Sequence, residues 1–188
     1  MTSEGINVWV LGDYGPFSAM GKSIGYQVSI GDSSFLVDCG SPLFQQIGGH
    51  GLKAIKGLII THCHDDHKRW FTDLSLLNRY ATDIQHKLPV FTSEAINEGL
   101  LVSSGPALNS SLSGDSKVIV DLSYNDYIDF HTLGPRAKYR IVRKDSSEGR
   151  SQMTVVDAHG AAVDPVRAKI IISAKNGAAR LLFKDPEY

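Results

Sequence analysis

Apolar residues come in short bursts along the first hundred positions of this chain, and the spacing within each burst predicts an element. INVWVLG, residues 6–12, is an apolar run closed by glycine and predicts a strand. The loop DYGPFSAMGK follows. In SIGYQVSIGDSSFLVDCG, Ile24, Tyr26, Val28 and Ile30 alternate with other residues, Gly31-Asp32 begins a turn, and Ser34 to Asp38 returns, which predicts a hairpin. Residues 41–56 carry Leu43, Phe44 and Ile47 and predict a helix broken at Gly48-Gly49. GLIIT, Gly57 to Thr61, is a continuous apolar run of strand length, the pattern of a strand covered on both faces. Trp70, Leu74, Leu77, Ala81 and Ile84 recur at helical spacing and predict an amphipathic helix over 66–84. LPVFT predicts another strand, and SEAINEGLL a short helix with Ser93 as its N-cap.

Beyond residue 102 the pattern changes. SSGPALNSSLSGDS (103–116) is rich in serine, glycine and asparagine and predicts a mobile surface loop. From 117 onward KVIVDL, YIDF, KYRIVR, MTVVDA, AKIIIS and ARLLF all read as strands, the last two joined by a hairpin turn on Asn176-Gly177. The front half therefore alternates strands and helices, which predicts an α/β fold. The back half is almost entirely β. The natural division is 1–130 and 131–188.

Bulk composition adds two constraints. At 188 residues, with 42% hydrophobic and 21% charged positions, the chain can build one sizeable core. It has no apolar run of the ~18 residues that span a bilayer, and its N-terminus does not read as a signal peptide. Cys39 and Cys63 are too few for a disulfide framework and predict reduced, buried thiols in a cytoplasmic protein. The net charge of −1 conceals an asymmetry. Residues 1–130 carry 8 Lys+Arg against 14 Asp+Glu, and residues 131–188 carry 11 against 6. An acidic front suits a cation site, and a basic tail could meet a phosphate-bearing substrate. Basic residues that alternate with apolar ones on exposed strand faces account for the tail more simply.

The chemistry concentrates in GLIITHCHDDHKRW. Three of seven histidines and two aspartates fall within His62 to His67, directly after the buried strand. Imidazole and carboxylate donors suit zinc, iron or manganese. A loop at the carboxyl end of a buried strand aims side chains into one cleft. His62 and His64 project to one side of an extended segment and can share one ion. Asp66 and His67 sit where the chain enters the helix and can reach a second. Two cations about 3.5–4 Å apart can clamp the attacking and leaving oxygens of a hydrolysed ester. A plain helix start, with Asp65 and Asp66 facing the dipole, explains the aspartates but not the three histidines. Cys63 alternates with its neighbours and should point away into packing. Trp70 and Phe71 read as core. His50, in GGHG, reads as solvent-facing, and His86 as lying near a helix C-terminus. Gly12, Gly15 and Gly21 could cradle a phosphate, but without a Walker pattern they read as a plain flexible loop.

THCHDDH resembles the T-H-x-H-x-D-H motif of the metallo-β-lactamase fold superfamily, and SFLVDCG resembles that family's strand ending in Asp-x-Gly, here Asp38 and Gly40. The resemblance runs from Ile6 to about Thr92 and looks most like the ribonuclease Z and phosphodiesterase branch. It implies an αββα sandwich in which residues 1–130 form the N-terminal half and 131–188 a β-rich continuation or insertion. It implies two divalent ions, zinc first and iron or manganese as alternatives. His62 and His64 would serve the first ion, and Asp66 and His67 the second. Asp66 would also orient or deprotonate water, and Asp38 would support the motif loop. The substrate would be a small-molecule or nucleotide phosphoester, with nucleic acid as a further partner, no membrane, and a homo-oligomer as a possible assembly. Thioester or lactone hydrolysis, and a non-catalytic metal-binding or interaction role, are the alternatives.

The later ligands of the family match weakly. His131 in FHTLGP faintly resembles G-H-T-x-G, and Asp157 and His159 in VVDAHG faintly resemble the bridging-aspartate segment. A catalytic zinc takes three protein ligands and a water. The motif alone supplies two histidines to the first ion, so the 188-residue chain by itself is expected to bind metal weakly and turn over slowly.

Overall fold

A computed structural model describes residues 6–17, 21–30, 33–81, 86–112, 119–134, 138–145, 151–156, 170–175 and 178–183. Strands β1 (Ile6–Gly12), β2 (Gly25–Ile30) and β3 (Ser33–Cys39) form an antiparallel meander. Strands β4 (Ile55–Ile59), β5 (Leu88–Thr92) and β8 (Ile128–Thr132) continue it in parallel, giving one six-stranded mixed sheet in the order β1-β2-β3-β4-β5-β8. Parallel neighbours need crossovers, which helices supply. Helices α1 (Leu43–Gln46) and α2 (Gly48–Lys53) link β3 to β4. Helices α3 (Asp65–Lys68) and α4 (Phe71–Tyr80) link β4 to β5. Between β5 and β8 lie α5 (Glu94–Leu108), the short pair β6 (Ser111–Leu112) and β7 (Ile119–Val120), and α6 (Tyr124–Tyr127).

The central strands of the sheet are buried on both faces, as the apolar run at β4 predicts, whereas Val8, Trp9 and Val10 of the edge strand β1 are exposed. Leu36, Leu58 and Val90, neighbours across β3, β4 and β5, join the core cluster with the helical residues Leu43, Leu52, Phe71, Leu74, Leu100 and Leu108. The intervening residues Val37, Ile59 and Phe91 are buried as well. Each such side chain contributes about 1.5–3 kcal/mol of burial. Phe71 belongs to the core and Trp70 packs against it, as their helical spacing predicts.

Four further strands, β9 (Lys138–Asp145), β10 (Ser151–Val156), β11 (Ile170–Lys175) and β12 (Ala178–Phe183), form an antiparallel sheet in the order β10-β9-β12-β11. The β-rich reading of the back half holds, and β11 pairs antiparallel with β12. The turn residues Gly31-Asp32 and Asn176-Gly177 lie outside the described residues, as do Asp157 and His159. No helix among the described residues is long and apolar enough to cross a membrane.

Four expectations need correction. The helix expected over 66–84 is two helices, because the chain is pinned at Trp70, whose backbone N–H donates to the Cys39 carbonyl at 3.0 Å. The segment 103–116 is not a loop throughout. Residues 103–108 complete α5, with Ser104, Gly105 and Leu108 buried and Ser103 Oγ donating to the Gly99 carbonyl. Tertiary burial overrides the loop composition there, and Pro106 is accommodated in the last turn. KVIVDL is strand only at Ile119–Val120, and Tyr127 ends α6 before β8 begins. A capping box between Ser123 and Asp126 starts that short helix. By contrast, the helix break at Gly48 holds, with φ at +75°, and Ser93 Oγ caps α5 by accepting from Ile96 N–H.

Among the described glycines, the tightest approach lies at Gly40, just beyond β3. A Cβ there would overlap the Asp66 carbonyl oxygen of α3. Gly40→Ala should therefore force α3 away from the sheet and destabilise the fold by about 3 kcal/mol or more. Urea unfolding measures this, and a midpoint equal to wild type would show that α3 is free to shift at little cost.

Candidate metal site

The site lies at the carboxyl ends of the parallel strands, where open α/β sheets bind ligands. Asp38 closes β3, Thr61 to His64 follow β4, and Asp65 to His67 open α3. Gly40 lets α3 approach β3 closely enough to bring these segments together.

Asp38 is the organising group. It is 1% exposed and has φ at +57°, a left-handed conformation that aspartate and asparagine tolerate better than other non-glycine residues. Its Oδ1 accepts from the Thr61 backbone N–H at 2.8 Å. Its Oδ2 accepts from Thr61 Oγ1 at 2.7 Å and lies 2.7 Å from His67 Nδ1. The Thr61 hydroxyl has one proton and gives it to Asp38, so the oxygen's 3.1 Å contact with His62 Nδ1 makes that nitrogen the donor. The network thus places protons on the Nδ1 atoms of His62 and His67 and leaves both Nε2 lone pairs for a cation.

Several motif side chains lie near one another. The rings of His62 and His67 lie 3.7 Å apart between centroids, and those of His62 and His64 4.8 Å apart, edge to face. The Asp66 carboxylate is 3.6 Å from His67 Nε2 and largely buried. Burial lowers the pKa of His62, and the neighbouring His67 and His64 lower it further against the opposing pull of Asp38 and Asp66. His62 is therefore held neutral, the form that ligates metal. Asp65 turns outward and pairs with Lys68 at 2.8 Å.

Three imidazoles and a carboxylate are the donor chemistry of zinc, iron or manganese, so the residue types suit a divalent ion. The convergence is nevertheless partial. Among the described residues, no three His, Cys, Asp or Glu side chains are arranged to hold one ion. His131, weighed as a third histidine, is not brought into the cluster. Its ring stacks on Phe91 at 4.9 Å, and its Nε2 meets Asp129 Oδ2 at 3.0 Å. That hydrogen bond holds the pKa of Asp129 down. Cys63 turns away, as expected, and its Sγ donates to the Ile96 carbonyl of α5. Burial raises the pKa of both thiols, which are free. His50 is exposed, and the His86 backbone N–H bonds to the Asn78 carbonyl in the last turns of α4. Gly12 serves a close crossing of the Ser23 backbone, and Gly21 a turn with φ at +65°.

The role of Thr61 was not anticipated from the sequence, although it is the first letter of the matched motif. The contact of Gly99 with Cys63 carries no sequence signal, because it joins elements 36 positions apart.

A family model described as anti-Pycsar protein Apyc1 matches residues 24–160. A curated relative, the probable metallo-hydrolase YhfI of Bacillus subtilis (strain 168), is 30% identical over 95 residues, which are 48% of this chain and 39% of the relative. Among solved structures, the metallo-β-lactamase fold protein YhfI from Bacillus subtilis is similar with a TM-score of 0.50 at 21% identity, over 83% of this chain and 59% of that one. Unliganded yeast PDE1 is similar with a TM-score of 0.51 at 10% identity, over 80% of this chain and 60% of that one. The structural likenesses establish the metallo-β-lactamase fold that the motif implied. The chain spans about two-fifths of the length of the curated relative and about three-fifths of each solved structure.

Asp38 gives a direct test of the network. Asp38→Ala should cost about 2–4 kcal/mol, since it leaves the Thr61 N–H unpaired and puts alanine at positive φ. Asp38→Asn keeps the backbone preference and one acceptor and should cost less. Equal losses for the two variants in thermal or urea unfolding would show that the carboxylate's hydrogen bonds do not hold the loop.

Proposed function

The chain belongs to the anti-Pycsar protein Apyc1 family, and from that footing we propose that it contributes to a metal-dependent hydrolase site acting on a phosphodiester. The observation that carries this reading is the Asp38–Thr61 network, which presents the Nε2 atoms of His62 and His67 beside His64 and Asp66. His62 and His64 would hold one divalent ion, and Asp66 and His67 a second, with zinc favoured and iron or manganese fitting the same donors. When bound, such ions acidify water and neutralise charge on a phosphoryl group. The protein's own part is positional. Asp38 fixes the ring of His67 and, through Thr61, that of His62. Asp66, on the first turn of α3, accepts the proton of the attacking water. The substrate class rests on the family resemblance and the yeast PDE1 likeness of fold, and covers nucleotides and nucleic acid. The two free, protonated cysteines fit a reducing compartment, and we place the protein in the cytoplasm.

The partial convergence of donors favours one further reading. Without a third donor from residues outside the described set, or from another copy of the chain, the motif would bind a cation without turning substrate over.

Elemental analysis combined with a chromogenic phosphodiester assay separates the two readings. Two metal equivalents with turnover support hydrolysis, one equivalent without turnover supports binding alone, and no bound metal counts against both. The double substitution His62→Ala and His64→Ala should remove most bound metal, and unchanged metal content would place the site elsewhere. Asp66→Asn should lower kcat on the order of 10²-fold if its carboxylate is the base. Single alanine substitutions at His131, Asp157 and His159 then report which, if any, completes the site, and the position of His131 predicts no effect there.

A further inference from the structure

Cys63 sits between the two histidines assigned to the first ion, and its side chain enters α5. Sγ lies 3.2 Å from the Ile96 carbonyl. The same residue's N–H donates to Ser93 Oγ, so Ile96 is held by the helix cap through its N–H and meets the thiol through its carbonyl. The next residue, Asn97, accepts from the Tyr124 hydroxyl at 2.9 Å, which ties this turn of α5 to α6. Opposite the thiol is Gly99. A Cβ there would lie 2.7 Å from Cys63 Sγ and 3.5 Å from Cys63 Cβ. The first distance is too short for any real contact, whereas the second is ordinary packing. Gly99 is thus a socket that fits the Cys63 sulfur and little more.

We infer that Cys63 and Gly99 are positioning residues: α5, through this socket, sets the depth and tilt of the loop that carries His62 and His64. The inference rests on the metal reading above and extends it to a helix that contributes no ligand. The coupling is mechanical. His62 and His64 are the covalent neighbours of Cys63, so a displacement of its Cβ is passed to both ring positions. Asp38 and Thr61 fix the proton positions on His62 and His67, and the His64 ring has no part in that network. The His64 carbonyl accepts from the His67 and Lys68 N–H groups at the start of α3, and the socket adds a side-chain constraint on this side of the loop.

The test is a rescue experiment on the full chain with Co(II), reading affinity by chelator competition and the d–d absorption spectrum, with melting temperatures recorded in parallel. Gly99→Ala should weaken Co(II) binding about tenfold or more and change the d–d bands, in line with the cost of disturbing groups that orient ligands. Adding Cys63→Ala should restore both, because the remaining Cβ-to-Cβ distance is acceptable. Cys63→Ala alone should cost only a few-fold. A Gly99→Ala protein with wild-type affinity and spectrum would overturn the inference, whatever its melting temperature. So would a defect that Cys63→Ala does not repair, or a thiolate-to-cobalt charge-transfer band showing that Cys63 is itself a ligand. Should Gly99→Ala fail to fold, Cys63→Val loads the same contact from the loop side and is read the same way. Wild-type protein that binds no Co(II) defeats the metal reading before any variant is compared, and this inference with it.

Discussion

The buried carboxylate of Asp38 is the constraint around which the rest of the site is arranged. It ends a core strand, so it cannot move without the sheet. It spends its acceptors on the Thr61 backbone, the Thr61 hydroxyl and the His67 ring. A buried carboxylate left unpaired would be costly, and these three contacts offset that cost while ordering the loop. One group thereby links β3, the loop after β4 and the first turn of α3, which reach each other across 23 and 29 positions of sequence.

The glycines act on the same geometry from outside. Gly40 lets α3 lie against the end of β3, where any side chain would strike the Asp66 carbonyl. Gly99 does the equivalent for α5 against Cys63. The motif loop is therefore held from below by a carboxylate and from the side by a thiol. Both supports are set by backbone approach more than by hydrophobic packing. The arrangement holds the His62 and His67 rings in fixed positions, which limits how far the loop can rearrange.

The sheet order explains why the cluster sits where it does. Strands β3, β4 and β5 run parallel, so their carboxyl ends open on one edge, and three successive crossovers begin there. β8 belongs to the same parallel set, yet its histidine does not join. His131 stacks on Phe91, its direct neighbour across β5, and pairs with Asp129 two residues back. Local strand geometry claims that side chain, which is why a histidine in a motif-like setting stands apart from the cluster.

By itself, the sequence determined the periodic elements and the chemistry. The hairpin, the doubly buried strand, the broken helix at Gly48, the cap at Ser93 and the histidine-aspartate motif follow from local rules of spacing, turn propensity and donor type. These rules act over a few residues and so are written in adjacent letters. Tertiary structure alone decided the rest. It divided the helix after the motif, because the Trp70 N–H is used by the Cys39 carbonyl. It carried α5 through serine, glycine and proline to Leu108, because burial of Leu108 and Ser104 outweighs weak propensity. It also put Asp38 in a left-handed conformation, turned His131 aside and fitted Cys63 to Gly99. Each of these depends on contacts between residues far apart in the chain, whose energies no local pattern of residues encodes.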